Sequence, residues 1–417
     1  MTQFTPEWKL VIAGVEYTDV AISDISHEAG RTDIYQQPNP GYIQVDLVAL
    51  NNQTYDIQVN DGLTLQLKNT SGSYVSIFGG NITDITVAVA ATGAIGQVLT
   101  YTIIALGSLA KLAKIITTGT LSQQKDGQQI YHLLSEYLLN NWNGLPAAQQ
   151  WNDYSATETW TTAANLGLGE IDQPGQYTMQ NRGANEDTIF NITSLIANSA
   201  FGYLYEDNVG NIGYADAAHR QDYAATNGFI EISANSAIGS GLATKTQIGD
   251  VRNSVAINYG ENYNQQKVAI DSISIGTYGY KAETINSTIH SATDAQNVAN
   301  RYISLRAYPK PNFDSITFPI TNPELDDTDR DALLGVFIGQ PIRITDLPAQ
   351  IATGGFFEGY VEGWNWSTSF NQLYLTINLS PIEFSAVFQA WSEVNASEAW
   401  NTLSGTITWQ TAIGVIA

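Results

Sequence analysis

Residues 40 to 110 alternate between apolar and polar side chains with a period of two. This alternation places the apolar side chains on one face of extended segments, as in strands with one buried side. Turn signals rich in glycine and asparagine separate the segments. The pattern therefore predicts a first β domain, with strands through Ile43, Val45 and Leu47, through Leu63, Leu65 and Leu67, and through Val98, Thr100, Thr102 and Ile104.

The period changes near residue 121, where apolar positions begin to recur three and four residues apart. That spacing predicts an amphipathic helix, and Asp126 is placed to cap its start. A second helix with the same spacing follows. The apolar stripes are Ile130, Leu133, Leu134, Tyr137 and Leu138 in the first helix and Ile189, Ile192, Leu195 and Ile196 in the second.

Strand-like runs resume at Phe229 and continue to Leu379, with one predicted helix between them. Ser291 and Asp294 form a capping-box pattern at the start of that helix. The chain is therefore predicted to be mainly β with an α+β insertion. Its predicted divisions are a first β domain at 1–120, an inserted α+β domain at 121–228, a second β domain with a peripheral helix at 229–385, and a C-terminal extension with tryptophans at 386–417.

The two β regions share four sequence blocks in the same order. The segment 41–50 matches 314–322, Gly62 matches Gly339, Phe78 matches Phe357, and Leu99 matches Leu373. This order predicts one β-barrel present twice in the chain. The alternative is that freely chosen gaps can align any two strand-rich segments.

A shorter repeat relates residues 151–162 to residues 391–402, in which tryptophans recur nine positions apart. Large aromatic side chains at fixed spacing commonly anchor a segment on a neighbouring surface. The alternative is that these tryptophans belong to separate small cores. The candidate assembly anchors are Trp151, Trp160, Trp391, Trp400 and Trp409.

Acidic residues outnumber basic ones by 40 to 17, which gives a net charge of −23. This balance argues against a protein that grips nucleic acid. The chain has no cysteine, so disulfides, thiolate nucleophiles and cysteine-bound metals are excluded. Its sequence lacks an apolar run long enough to span a membrane and a recognisable secretory signal, so neither is expected.

Catalytic motifs are also missing from the sequence. Its four histidines fall in unrelated contexts without metal-binding spacing, and no nucleophile elbow, phosphate loop or dinucleotide fingerprint occurs. We therefore expect no enzyme activity, no catalytic residue, no cofactor and no metal site. The histidines are His27, His132, His219 and His290.

An acidic cluster between Glu324 and Asp331 partly follows the spacing of a calcium-binding loop. Ala332 replaces the required glycine and Ile338 the terminal glutamate, so the cluster is expected to begin a short helix instead. Paired carboxylates elsewhere could still serve glycoside cleavage. A carbohydrate-binding or glycoside-cleaving protein is therefore the alternative function.

Four segments resemble the minor tail proteins of siphophages that form the baseplate hub. They are GRTDIYQQPNPGYIQVDLVAL at 30–50, the region 126–220 with DGQQIYHLLSEYL and FGYLYEDNVGNIGY, DVRNSVAIN at 250–258, and the region 292–384 that ends in FFEGYVEGWNW and LYLTINLSPIEF. Each motif is short, but together they cover most of residues 10 to 385.

The resemblance implies two tail-tube-like β-barrel domains in each subunit, an inserted domain and a homotrimer at the end of the tail tube. It implies a structural hub at the tail tip of the virion, in contact with the tail tube or distal tail protein and with tip or fibre proteins. DNA would pass through the lumen without specific binding. Strong acidity suits such a conduit, because like charges suppress the binding of a polyanion.

Overall fold

The computed structural model describes residues 4–17, 21–32, 34, 36–50, 53–93, 96–135, 170–236, 242–313, 315–352, 354–369 and 372–382. The fold is mainly β with several sheets. The strands are β1 Trp8–Ile12, β2 Val15–Tyr17, β3 Ala21–Gly30, β4 Asn39–Ala49, β5 Gly62–Lys68, β6 Tyr74–Gly93, β7 Gly96–Leu106, β8 Ile116–Thr117, β9 Gln124–Lys125, β10 Thr178–Met179, β11 Asp187–Thr188, β12 Tyr203–Glu206, β13 Ile212–Ala215, β14 Ile230–Ser233, β15 Thr244–Lys245, β16 Ser254–Tyr259, β17 Gln265–Ile270, β18 Ala282–Asn286, β19 Asn312–Phe313, β20 Ser315–Pro319, β21 Pro341–Thr345, β22 Phe357–Ser369 and β23 Gln372–Pro381. The α-helices are α1 Leu109–Leu112, α2 Asp126–Leu134, α3 Ile189–Ser199, α4 His219–Asn227, α5 Ser272–Tyr278, α6 Ala292–Arg306 and α7 Asp327–Leu334.

One sheet of twelve strands dominates the fold. Its main path runs β14-β21-β22-β3-β4-β7-β6-β5-β1-β2, and β23 and β20 continue from the other side of β22. The predicted alternation is confirmed in β4 and β5, where every second side chain is buried. This path joins strands from both predicted β regions into one sheet and is open, not closed, among the strands that the structure describes.

Two four-stranded units within this sheet have the same strand order. The first unit is β4-β7-β6-β5 and the second is β20-β23-β22-β21, and all neighbours are antiparallel. The four sequence blocks therefore correspond to four strands with the same neighbours. This arrangement supports a duplicated unit, but the described strands close no barrel.

The strand register corrects one of the four matches. Leu65 pairs with Phe78 in the first unit, and Ile344 pairs with Phe357 in the second. Gly62 therefore corresponds to Pro341, and the match of Gly62 to Gly339 was wrong by two positions. With this correction equivalent residues have the same spacing in β5 and β6 as in β21 and β22, so the match needs no gap.

Each unit contains a β-bulge at the corresponding position. Ile82 and Asp84 pair with consecutive residues of β7, which leaves Thr83 as the extra residue. Val361 and Gly363 pair with consecutive residues of β23, which leaves Glu362 as the extra residue. A bulge bends its strand and can redirect a side chain. In β22 the bulged residue is Glu362, a charged residue in an otherwise apolar stretch.

Strand β3 joins the two units. Its residues Ser26 to Gly30 pair with β22 on one side, and it pairs with β4 of the first unit on the other. Gly30 allows the close approach, because a Cβ atom there would lie 2.4 Å from the carbonyl oxygen of Glu362. The junction is therefore a continuous ladder of backbone hydrogen bonds.

Helices α2 and α3 of the inserted region share one hydrophobic core with β16, β17 and α6. The sequence-predicted start of α6 is confirmed, since the Ser291 hydroxyl accepts a hydrogen bond from the Asp294 amide. The prediction for α2 was wrong in one detail, because Asp126 is its first residue and not its cap. Asp126 is buried, and its carboxylate binds the Tyr214 hydroxyl at 2.6 Å. Among the described residues, no helix is long and apolar enough to cross a bilayer.

Candidate functional site

The twelve-stranded sheet presents one uncovered surface, which we call the open face. It is formed by the solvent side of the consecutive strands β20, β23, β22, β3, β4, β7 and β6. Cross-strand pairing places its side chains in rows, since directly paired residues point to the same side. Its residues include Thr317, Thr376, Asn365, Ser367, Ser26, Gln44, Thr102 and Thr86 together with four acids, Asp24, Glu28, Asp46 and Asp84.

All charged side chains that the structure describes on the open face are acidic. Asp24 pairs directly with Asp46 across β3 and β4. Like charges in directly opposed positions destabilise a sheet. Asp24 also accepts a hydrogen bond from the Thr368 hydroxyl at 3.0 Å, which links β3 to β22, so this pair concentrates negative charge on the open face beside a structural contact.

Basic residues on the adjoining strands are neutralised by glutamates. Arg343 of β21 binds both Glu358 and Glu231, each at 2.5 Å. Lys68 of β5 binds Glu7 at 2.8 Å. These ion pairs leave the negative charge of the open face without a competing positive patch beside it in the described part of the sheet.

A buried ionic group, the Glu362 junction, fixes the strands behind this surface. Arg31 donates its Nε hydrogen to Glu362 Oε2 at 2.7 Å, and Arg220 of α4 donates Nη1 to Oε1 at 2.6 Å. The Ser380 hydroxyl donates to Oε1 at 2.5 Å. The carboxylate thus links the end of β3, the inserted region and the second unit through charge-assisted hydrogen bonds.

The electrostatics of the junction favour an ionised glutamate. Burial alone would raise the pKa of Glu362, but the adjacent Arg220 and Arg31 outweigh it and lower the pKa to about 2. The Arg220 guanidinium also lies 4.4 Å from the centre of the Tyr203 ring. A buried ion pair of this kind contributes to specific geometry more than to net stability.

A second carboxylate, that of the half-buried Glu206 at the end of β12, joins the inserted region to the first unit. It accepts hydrogen bonds from the backbone amides of Gly41 and Leu109 and from the Ser108 hydroxyl. Burial raises its pKa to about 7, although these donors oppose the shift. Gly107 approaches the carboxylate so closely that a side chain there would collide with it. Both carboxylates therefore position parts of the chain relative to each other.

The histidines that could carry chemistry are held in structural contacts. His27 is buried in β3, its Nδ1 lies 2.9 Å from the Tyr42 carbonyl oxygen, and burial lowers its pKa to about 4. His219 lies 2.6 Å from Asp172, and Glu170 completes a cluster whose oxygen and nitrogen atoms lie within 4.8 Å of one another. Sequence reasoning missed this cluster because His219 is 47 positions from Asp172.

The cluster also has a clear structural task. Asp172 accepts a hydrogen bond from the Asp216 amide at 2.9 Å, and Asp216 in turn accepts one from the His219 amide. These contacts fix the start of α4, which carries Arg220 to the Glu362 junction. Asp172 and His219 thus support the start of this helix.

The acidic stretch near residue 326 begins a helix, as predicted. The Asp326 side chain accepts a hydrogen bond from the Asp329 amide and caps α7. Asp327 pairs with Arg330, and Asp331 binds Thr70 at 2.6 Å. These carboxylates are therefore used in capping and packing. The candidate anchors Trp151, Trp160, Trp391, Trp400 and Trp409 lie outside the described residues.

No model of a known protein family matches the sequence, and no curated protein matches it. The fold is similar to the crystal structure of a tail protein from Neisseria meningitidis MC58, with a TM-score of 0.59, 8% identity, and coverage of 92% of this chain and 98% of the other. It is also similar to the 43 kDa tail protein of prophage MuSo2 from Shewanella oneidensis, with a TM-score of 0.55, 12% identity, and coverage of 91% and 99%.

At these identities the likeness concerns the fold. It extends over nearly the full length of both tail proteins, so it includes the inserted region as well as the two β regions. The resemblance to tail proteins that the sequence segments indicate is confirmed at the level of the fold. The chain has the fold of these tail proteins.

Proposed function

We propose that this chain is a structural hub of a phage tail that joins the tail tube to the tail tip and lines the DNA conduit. The observation that carries the proposal is the duplicated four-stranded unit. Its two copies lie in one sheet, and the open face of that sheet has acidic and no basic side chains among its described residues. Negative charge on that face would let DNA pass without sticking.

In this proposal, residues 1–120 and 229–385 supply the two tube-like domains and residues 121–228 the inserted domain. Three chains with two units each would form a ring with pseudo-sixfold symmetry, matched to a sixfold tube. The hub would contact the tail tube or distal tail protein on one side and tip or fibre proteins on the other. The C-terminal segment 386–417 would carry the tryptophan anchors Trp391, Trp400 and Trp409.

The proposal assigns no catalytic residue. Glu362 and Glu206 both take part in structural hydrogen bonds. Turnover of peptidoglycan or a common polysaccharide that disappears when one Asp or Glu is replaced would instead support the carbohydrate-active alternative.

Electron microscopy of the purified chain, together with its mass in solution, tests the hub. A trimeric ring with a central hole and two superposable β units in each subunit is the expected result. A stable dimer, or a ring whose negative open face points outwards, would contradict it.

A further inference from the structure

Among the described strands, β6 of the first unit lacks a neighbouring strand at the edge where its counterpart, β22 of the second unit, pairs with β3. In β22, residues 357–360 pair with β21, and residues 363–367 pair with β3 on the same side. In β6, residues 74–81 pair with β5, but among the described strands nothing pairs with that side from residue 84 onwards. Because Asp84 corresponds to Gly363, β6 presents an open strand edge where β22 holds β3.

The side chains at this edge show the same difference. Trp364 and Trp366 are 3% and 1% exposed in β22, where β3 extends the sheet. Their counterparts in β6 are Ile85, which is half-buried, and Val87, which is 52% exposed. Val89 is 55% exposed. Exposed valines beside an unpaired edge invite the addition of another strand.

A strand that matches β3 is found next to the second unit in sequence, in a separate two-stranded sheet of β15 and β19. β15 pairs with β19, which immediately precedes β20, in the way that β3 pairs with β4. Thr244 pairs with the buried Phe313, and His27 pairs with the buried Ile43. Val45 and Ile316 hold the same register position, and Ile43 and Phe313 are the buried residues that precede them, with one extra residue between Phe313 and Ile316. Matching the buried residues makes Thr244 the counterpart of His27. Among the described strands, β15 has β19 as its one neighbour.

We propose that the β6 edge of one copy pairs with β15 of a second copy, antiparallel and in the register that β22 and β3 adopt within one chain. This inference rests on the proposed hub, and it names the strands that would join its subunits. The contact is head-to-tail, because β6 belongs to the first unit whereas β15 pairs with the strand that precedes the second unit, so repetition of it can close a ring.

The register follows from the pair Ser367 and Ser26 within one chain. Its counterpart is Ala88 of one copy opposite Ala243 of the next. On the core side, Val89 would face Leu242, which packs against the hydrophobic core of the second unit. The contact therefore covers exposed valine surface with apolar surface.

Charge is complementary at the same place. Lys245 would lie opposite Thr86, diagonal to the exposed carboxylate of Asp84, as Glu28 lies opposite Asn365 within one chain. Diagonal neighbours across strands are within reach of a long side chain. The basic residue of β15 would thus meet the acidic edge of β6.

Cysteine cross-linking tests this register, because the natural chain contains no cysteine. In the full chain with A88C and A243C, mild oxidation should give disulfide-linked oligomers, since directly opposed residues come within the Cα separation of a disulfide. Mass spectrometry should find the peptide that contains position 88 of one chain linked to the peptide that contains position 243 of another. The matched control is A88C with A282C, an exposed alanine of β18, and it should not form disulfide-linked oligomers.

A second variant uses assembly as its readout. V87D with V89D should convert the oligomer to a folded monomer with the circular dichroism spectrum of the natural chain, whereas V268D, at a valine that is 44% exposed on β17, should leave the oligomer intact. If the chain forms rings but A88C and A243C give no more cross-linking than the control pair, the β6 contact is rejected and the hub remains. If the natural chain never forms oligomers, both proposals are rejected.

Discussion

Arg31 Nε lies 2.7 Å from Glu362 Oε2, although 331 positions separate the two residues in the sequence. The Arg31 amide also donates to the Glu362 carbonyl oxygen at 2.8 Å. Side chain and backbone therefore hold the same two residues together. This double contact lies where β3 meets β22, so it fixes the two β units at the point where they join.

The close backbone contact at Gly30 should be sensitive to a single methyl group. Gly30 has φ of +81° and a Cβ atom would lie 2.4 Å from the Glu362 carbonyl oxygen, whereas Gly14 has φ of +80° and open space around it. Both G30A and G14A should lose about 1 to 2 kcal/mol from the left-handed backbone. Only G30A adds the collision, so urea unfolding should show a clearly larger loss. Equal losses would contradict the close approach.

Replacing Glu362 with glutamine should destabilise the fold strongly. E362Q leaves the buried guanidinium groups of Arg31 and Arg220 without their counterion, which costs about 3 to 5 kcal/mol. The control is E358Q on the same strand, because Glu358 binds the partly exposed Arg343 and such pairs contribute about 0 to 1 kcal/mol. Chemical denaturation of both variants at neutral pH measures the difference.

The deficit of E362Q should also depend on pH. The folded pKa of Glu362 is about 2, below its ordinary value of 4.5, so its contribution is fully present above pH 4.5 and is lost as pH falls through 2. The stability gap between the natural chain and E362Q should therefore narrow from pH 4.5 towards pH 2. A gap that stays constant over this range would show that Glu362 is not held ionised by the arginines.

Glu206 should have the opposite pH dependence. Its folded pKa of about 7 lies above the ordinary 4.5, so stability that is fully present below pH 4.5 is lost as pH rises through 7. The advantage of the natural chain over E206Q should fall between pH 4.5 and 7 and then level off. Thermal unfolding across this range measures it, with E261Q at an exposed glutamate as the control. An advantage that grows with pH would contradict a protonated Glu206.

Reversing charge on the open face should create affinity for DNA. D24K with D46K replaces two carboxylates on neighbouring strands by ammonium groups. Fluorescence anisotropy with duplex DNA at low salt should detect salt-sensitive binding by this variant and little by the natural chain. E186K with E261K makes the same charge change at exposed sites away from the open face and should bind less. Equal binding by the two variants would show that net charge alone matters.

The tryptophan repeat predicts a joint effect at two positions. If Trp391 and Trp400 are buried anchors, W391A with W400A should weaken folding or assembly by several kcal/mol, since each buried tryptophan contributes about 3 to 5 kcal/mol. S392A with S397A changes the same segment outside the six shared positions and should have little effect. Unchanged melting and assembly in the double tryptophan variant would show that the repeat is accidental.

Much of the β architecture can be predicted from the sequence, because the alternation of apolar and polar residues follows directly from which side chains are buried. The strands through Ile43, Leu63 and Ile377 were predicted from that pattern, and so was the order of the repeated blocks. The register of strand pairing was harder to predict. Gly62 and Gly339 share a residue type but not a position, because pairing across strands determines register and local sequence does not contain it.

The Glu362 junction could be predicted only in part. A glutamate within the apolar run of Tyr360, Val361 and Trp364 is a signal that a buried charge needs a partner. The identity of those partners was hidden, because Arg31 and Arg220 lie 331 and 142 positions away in the sequence. Contacts at such separations arise from the sheet topology, which no local pattern specifies.

The paired bulges at Thr83 and Glu362 have an evolutionary consequence. A bulged residue stands outside the alternation, so its side chain can change without moving any neighbour to the wrong face of the sheet. After a duplication, one copy could keep a small hydroxyl at this position while the other acquired a carboxylate. The two copies could thus differ chemically at this position and still keep the same strand register. In this way one copy of a repeated unit can acquire a role that the other lacks.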